Sequence, residues 1–199
     1  MLFRIGGEVA RATSIVRYAP GSVFPRHTHG GGEEVFVLEG IFQDEHGDFP
    51  AGSYFRNPPG TSHVPATKAG CVIFVRLWQF RAGDRASIVR RPGEGQPVEP
   101  RPGAIRAAML FNDGHEEVRL EEWRRDADVA VANMRGLEFF VLAGAVVISR
   151  ETLEPQTWGR FPAGMHLNAR VGSKGATIWI RDAPLLHPDI CTLPEPAGH

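Results

Sequence analysis

Phe24-Pro25-Arg26-His27-Thr28-His29-Gly30-Gly31-Gly32-Glu33-Glu34-Val35-Phe36-Val37-Leu38-Glu39-Gly40, followed by Gly52 and then Asn57-Pro58-Pro59-Gly60-Thr61-Ser62-His63, decides how this 199-residue chain is read. The first part spaces as Gly21-x5-His-x-His-x3-Glu-x6-Gly40 and the second as Gly52-x5-Pro-x-Gly-x2-His63. Side chains two apart on a strand share a face, so His27 and His29 point together. The glycine triplet makes a turn free of side chains, after which Glu33 opens an apolar run that reads as the antiparallel neighbour strand. Glu33 then faces the two imidazoles. Proline fixes φ and glycine admits positive φ, so Pro58-Pro59-Gly60 is a rigid turn that delivers His63 from a third strand. Three neutral imidazoles and one carboxylate suit a single divalent ion, Zn foremost, with Fe, Mn, Ni and Cu also compatible. One or two coordination positions are left open. The count of six residues to Gly40 assigns the carboxylate to Glu33 rather than to adjacent Glu34, since only one of the pair can point inward.

The strand that carries this pattern recurs. Gly32 to Gly40 and Gly136-Leu137-Glu138-Phe139-Phe140-Val141-Leu142-Ala143-Gly144 agree at six of nine positions. Pro58-Pro59-Gly60 with His63 is echoed by Pro162-Ala163-Gly164 with His166, Met1-Leu2-Phe3 by Met109-Leu110-Phe111, and Glu8-Val9 by Glu117-Val118. A fixed-period repeat of this kind means two copies of one module. Aligning the glycines puts Val131, Asn133 and Leu137 at the places of His27, His29 and Glu33, with His166 standing near the place of His63. The second copy is expected to be metal-free and to pack on the first as a fused pseudo-dimer partner.

Short β-rich runs such as Cys71 to Trp78 and Ala176 to Ile180 alternate with glycine and proline throughout. Hairpin turns are expected at Gly6-Gly7, His46-Gly47 and Asp113-Gly114. Leu120 to Arg125 has good helix formers but is short and matches the strand Thr13 to Val16. Many short strands at regular spacing argue for an all-β chain of antiparallel jelly-roll barrels. The expected layout is a metal-binding barrel over 1–90, a Pro/Gly-rich linker over 91–104, a degenerate barrel over 105–185 and a proline-rich tail over 186–199. By strand alternation, Gln43, Tyr54, Arg76 and Gln79 are candidates for polar groups inside the first barrel. The turn Asn112 to Glu117 reads as solvated, and His46, His187 and His199 carry no ligand assignment.

Formal net charge is −1 with both signs interspersed, which leaves no footprint for nucleic acid or a membrane surface. The first residues lack the apolar stretch of a signal peptide and no apolar run nears membrane length, so a cytoplasmic protein is expected. The two cysteines, Cys71 and Cys191, form neither a framework nor a C-x-x-C pair, in keeping with a reducing compartment.

Taken together, these motifs resemble the cupin superfamily, and the chain looks like a bicupin of two tandem RmlC-like jelly-roll barrels. The first half is similar to the sensor cupin of ChrR-type zinc-dependent anti-sigma factors. That resemblance implies metal binding by His27, His29, Glu33 and His63. Thr67 stands where the wider pattern carries an asparagine, four residues after the last histidine. The ChrR type carries a helical anti-sigma domain ahead of its cupin. Here Met1 opens the barrel's own first hairpin, so the resemblance implies a sensing module without that domain. Two functions follow as expectations: a metal-bearing sensor that takes a small molecule or oxidant in the first barrel and signals to a regulatory protein partner, or an Fe(II)-dependent dioxygenase acting on a small diketone-like substrate. Association of two chains as a homodimer is compatible with either.

Overall fold

The computed structural model describes residues 1–194, which form seventeen β-strands and no helix. His199 lies outside the described residues. The chain divides into two compact units, one of Met1–Glu94 joined by the C-terminal segment from Leu186, the other Gly95–Leu185.

The first unit contains β1 (Phe3–Gly6), β2 (Ala10–Tyr18), β3 (His27–Thr28), β4 (Glu33–Asp44), β5 (Gly47–Pro50), β6 (Tyr54–Asn57), β7 (Ser62–His63), β8 (Cys71–Leu77) and β9 (Ile88–Arg90). All of its strand pairings are antiparallel, in the order β1-β2-β8-β4-β6-β9, with β5 on the far half of β4 and β3 paired separately with β7. Inward residues alternate along these strands, and Val35, Val37, Phe42, Phe49, Phe55, Cys71, Ile73 and Val75 make one apolar core. Burial of this apolar surface is the main favourable term holding the unit together. Cys71 packs in that core as a small hydrophobe. A bulge follows Val37, and Gly40 then takes φ +71°, where a Cβ would lie 2.1 Å from the Gly70 carbonyl oxygen. Only glycine allows β4 to bend there against β8.

The second unit contains β10 (Gln96–Val98), β11 (Ala104–Asn112), β12 (Glu117–Trp123), β13 (Asp128–Val131), β14 (Leu137–Ile148), β15 (Glu151–Leu153), β16 (Trp158–Phe161) and β17 (Leu167–Asp182). Its order is β10-β11-β12-β17-β14-β15, with β13 on β17 and β16 on β14. β14 repeats β4 in length and in its bulge, and Gly144 repeats the close approach of Gly40, with a Cβ 1.9 Å from the Gly175 oxygen. Leu120 to Trp123 are strand, as their match to β2 requires. Hairpins close at all three expected places, Gly6–Ala10, Asp44–Gly47 and Asn112–Glu117. The turn at Asp113 is stitched by its carboxylate, which accepts from the backbone of His115 and Glu116, each at 2.9 Å.

Three details depart from the sequence reading. The stretch 91–104 is not wholly linker, because Gln96–Val98 pairs with β11; Pro97, which lacks an N–H, is tolerated since this is an edge strand. The segment from Leu186 is not a free tail: Cys191 N donates to the Phe80 carbonyl at 2.9 Å and Ala82 N to that of Asp189 at 2.8 Å, which ties it to the first unit. Val118 pairs with Arg181 as Thr13 pairs with Arg76, so it holds the place of Thr13 rather than of Val9.

Candidate metal centre

The pairing of β3 with β7 sets His27 directly opposite His63, and the turn after β3 returns the chain so that Glu33 opens β4 beside them. His29 is tied across the same gap by its backbone, N to the Thr61 carbonyl at 2.8 Å and O from Gly60 N at 2.9 Å. One donor atom from each of His27, His29, Glu33 and His63 lies within 4.8 Å of the others. Glu33 Oε2 is 3.5 Å from His29 Nε2 and 3.5 Å from His63 Nε2. His29, Glu33 and His63 are buried, while His27 is exposed and forms the open side.

The turn is not unobstructed as the sequence suggests. The Trp78 ring lies across it, and a Cβ on Gly31 would sit 2.3 Å from that ring, while one on Gly32 would sit 2.4 Å from Phe80. Trp78 itself adopts φ 59°, held by its N–H to the Gly32 carbonyl at 3.0 Å.

Two of the imidazoles, those of His27 and His63, keep the Nε2 lone pair free for a visible reason. His27 Nδ1 is 3.1 Å from the Pro25 carbonyl, which can only accept, so Nδ1 carries the proton. His63 Nδ1 is 3.0 Å from Asp44 Oδ2, with the same result. Glu33 Oε2 is steadied by Asn57 Nδ2 at 3.0 Å. Burial, reinforced by the neighbouring His63 and His27, holds the His29 imidazole down at about 3, so it is neutral at ordinary pH. Burial pushes the Glu33 carboxyl up, against the pull of His63 and the Asn57 hydrogen bond. The decisive feature is that Nε2 of His29 and Nε2 of His63 are buried with no hydrogen-bond partner. Buried polar atoms are almost always satisfied, and two orphaned imidazole lone pairs converging on a carboxylate fit a divalent cation.

Glu34 goes the other way. It accepts from Tyr54 Oη at 2.6 Å and from Arg76 Nη1, and lies 3.7 Å from Arg56, which in turn donates to Asp84 at 2.5 Å. Tyr54 and Arg76 therefore stand on the face opposite the donors. Gln79 joins them, donating to Thr13 Oγ1 at 3.0 Å, and Gln43 bonds Asp48 on the hairpin at 2.7 Å. Tyr54, Arg76 and Gln79 thus lie in a polar network buried on the sheet's second face, and Gln43 on the hairpin, rather than inside the barrel as strand alternation suggested. Asp44 and Asn57, which do support the donors, were missed. Asp44 ends β4, four residues past the motif's closing Gly40, and only the fold shows that it meets His63. Thr67 donates to the Ile41 carbonyl at 2.7 Å and does not approach the donors.

In the second unit Val131 pairs with Leu167 as His27 pairs with His63. Leu167, not His166, is the counterpart of His63. The spacing from glycine carries that signal, since Gly60 to His63 matches Gly164 to Leu167. His166 is exposed and its Nδ1 accepts from Asn133 N at 2.9 Å. Val131, Leu137 and Leu167 are absorbed in the apolar core, and Asn133, at the place of His29, donates to the carbonyls of Phe161, Pro162 and Met165 at 2.8–3.2 Å. An apolar core and an amide clamp occupy the positions that the four candidate donors hold in the first unit.

The fold defines the class: this is a cupin-fold protein. Residues 1–81 match the family described as the ChrR Cupin-like domain. No curated protein matches the sequence. Among solved structures, a candidate dioxygenase from Nostoc punctiforme shares 15% identity over 93% of this chain and 74% of its own, with a TM-score of 0.70. Escherichia coli pirin YhhW, in complex with nickel(II), shares 18% identity over 87% of this chain and 83% of its own, TM-score 0.64. Salicylate 1,2-dioxygenase from Pseudoaminobacter salicylatoxidans shares 17% over 85% and 67%, TM-score 0.60. At these identities the likeness is one of fold.

Proposed function

We propose that the first unit binds one divalent metal ion through His27, His29, Glu33 and His63 and acts as a ChrR-like sensing module. In this reading zinc is the favoured ion, a small molecule or oxidant enters on the His27 side, and the response passes to a protein partner. The observation that carries it is the pair of buried, unpartnered Nε2 atoms of His29 and His63 facing Glu33. A bound ion would supply Lewis acidity and an open coordination position. The chain's own groups hold that position: Pro25 and Asp44 fix the proton on Nδ1 of His27 and His63, and Asn57 turns Glu33 inward.

A second reading, an Fe(II)-dependent dioxygenase of a small diketone-like substrate, is favoured by the exposure of His27, which leaves the centre accessible. Elemental analysis of protein grown without added metal, paired with oxygen uptake after anaerobic Fe(II) loading and a diketone panel, separates the two. About one tightly held zinc per chain without oxygen uptake supports the sensing module. Iron with substrate-dependent uptake replaces it with the enzyme. His29→Ala and His63→Ala are each expected to lose most of the metal while staying folded, and full metal stoichiometry in either variant removes the assignment.

A further inference from the structure

We propose that Asp44 is a positioning residue of this centre: it holds His63 with Nε2 towards the other donors and supplies the second negative charge that balances a divalent ion. The inference rests on the metal-binding reading above. Asp44 ends β4, its side chain is 5% exposed, and Oδ2 is 3.0 Å from His63 Nδ1. A carboxylate only accepts, so the imidazole gives it the Nδ1 proton and keeps its lone pair on Nε2, the atom left buried and unpartnered beside Glu33.

The acid is itself held in place. Its other oxygen, Oδ1, accepts from His46 N at 2.7 Å across the hairpin tip. The next residue, Glu45, accepts from Val64 N at 2.8 Å and pairs with Arg26 at 2.6 Å. Val64 follows His63 and Arg26 precedes His27. One hairpin tip thus grips both strands that bring ligands to the centre, and of its two acidic residues only Asp44 touches a ligand imidazole. With Glu33 it sets two carboxylates against three neutral imidazoles, a complement that a divalent cation makes electrically neutral.

The second unit supplies an internal comparison. β14 repeats β4 residue for residue, so Ile148 stands where Asp44 does, packed against the apolar core that contains Leu167. The imidazole and the acid behind it are replaced together, by leucine and isoleucine.

The test uses Co(II) as the probe on the full chain, with affinity from chelator competition and ligand field from visible absorption. Asp44→Asn should weaken Co(II) binding about 10–100-fold, the usual effect of removing an outer partner of a metal-bound histidine, and alter the absorption. Glu45→Gln removes a neighbouring charge but keeps an amide oxygen to accept from Val64 N and Arg26, and should leave both near those of the unaltered protein. In a His63→Ala background Asp44→Asn should have no further effect, because its action runs through that imidazole. If Asp44→Asn does not fold, Asp44→Ser is read in the same way. Unchanged affinity and spectrum in Asp44→Asn, equal loss in Glu45→Gln, or additive loss with His63→Ala would overturn the inference and leave the metal site standing. No Co(II) binding by the unaltered protein would overturn both.

Discussion

Glu33 and Glu34 are adjacent and chemically alike, yet the alternation of a strand sends one to the imidazoles and the other into a buried cluster of Tyr54, Arg56 and Arg76. Their substitutions should separate accordingly. Glu33→Gln keeps the size and the contact with Asn57 but removes the anionic donor, so bound metal should fall sharply in elemental analysis with little loss of folding stability. Glu34→Ala removes the counter-charge of two buried guanidiniums, and breaking such a pair costs on the order of 3–5 kcal/mol. Urea denaturation of the two variants measures that difference, and a comparable loss of metal in Glu34→Ala would mean that the assignment of Glu33 is wrong. The choice between them was legible in the spacing to Gly40. The polar network around Glu34 was not, because its members come from β4, β6 and β8 and meet only through register.

At the scale of elements, the centre depends on a turn of three glycines, and the reason for three lies well along the chain. Trp78 covers Gly30 and Gly31 and Phe80 covers Gly32, so the turn has no room for side chains. Gly31→Ala should force Trp78 aside, at roughly 1–3 kcal/mol for an overpacked contact, and weaken metal binding by displacing His29 and Glu33 from one another. Trp78→Ala in the same protein should recover part of that loss, a coupling that a double-mutant cycle reads directly. If the two losses simply add, Trp78 does not shape the turn. The sequence shows that glycine is needed there and that hairpins close at Gly6, His46 and Asp113, since turn chemistry is local. It does not show what lies on the turn, nor that Gln96–Val98 would pair, since both depend on contacts between distant segments.

Across the whole molecule, the repeat was legible because the bend at Gly40 and Gly144 admits only glycine and the inward face of each long strand must be apolar. The fate of the second centre was half legible: three of its four positions follow from aligning glycines, and Leu167 was hidden by the histidine beside it. The comparison of the two units also sets a pH prediction. In the metal-free protein His29 titrates at about 3, whereas the unfolded chain takes up that proton near pH 6.5. Between those values the unfolded state binds the extra proton, so the stability owed to neutral His29 is complete above about 6.5 and is lost as pH falls towards 3. Glu33 acts with the opposite sign: its raised value means the folded protein keeps a proton that the unfolded chain has released, so its contribution is lost as pH rises. Replacing His29 by asparagine, the residue at its place in the second unit, removes the first effect and keeps the second. The urea stability of metal-free His29→Asn should therefore fall less steeply on acidification from about pH 6.5 than that of the unaltered protein, by up to about 1.4 kcal/mol per pH unit, the slope of a one-proton difference. Equal slopes would mean that His29 is not held neutral by burial among the other imidazoles.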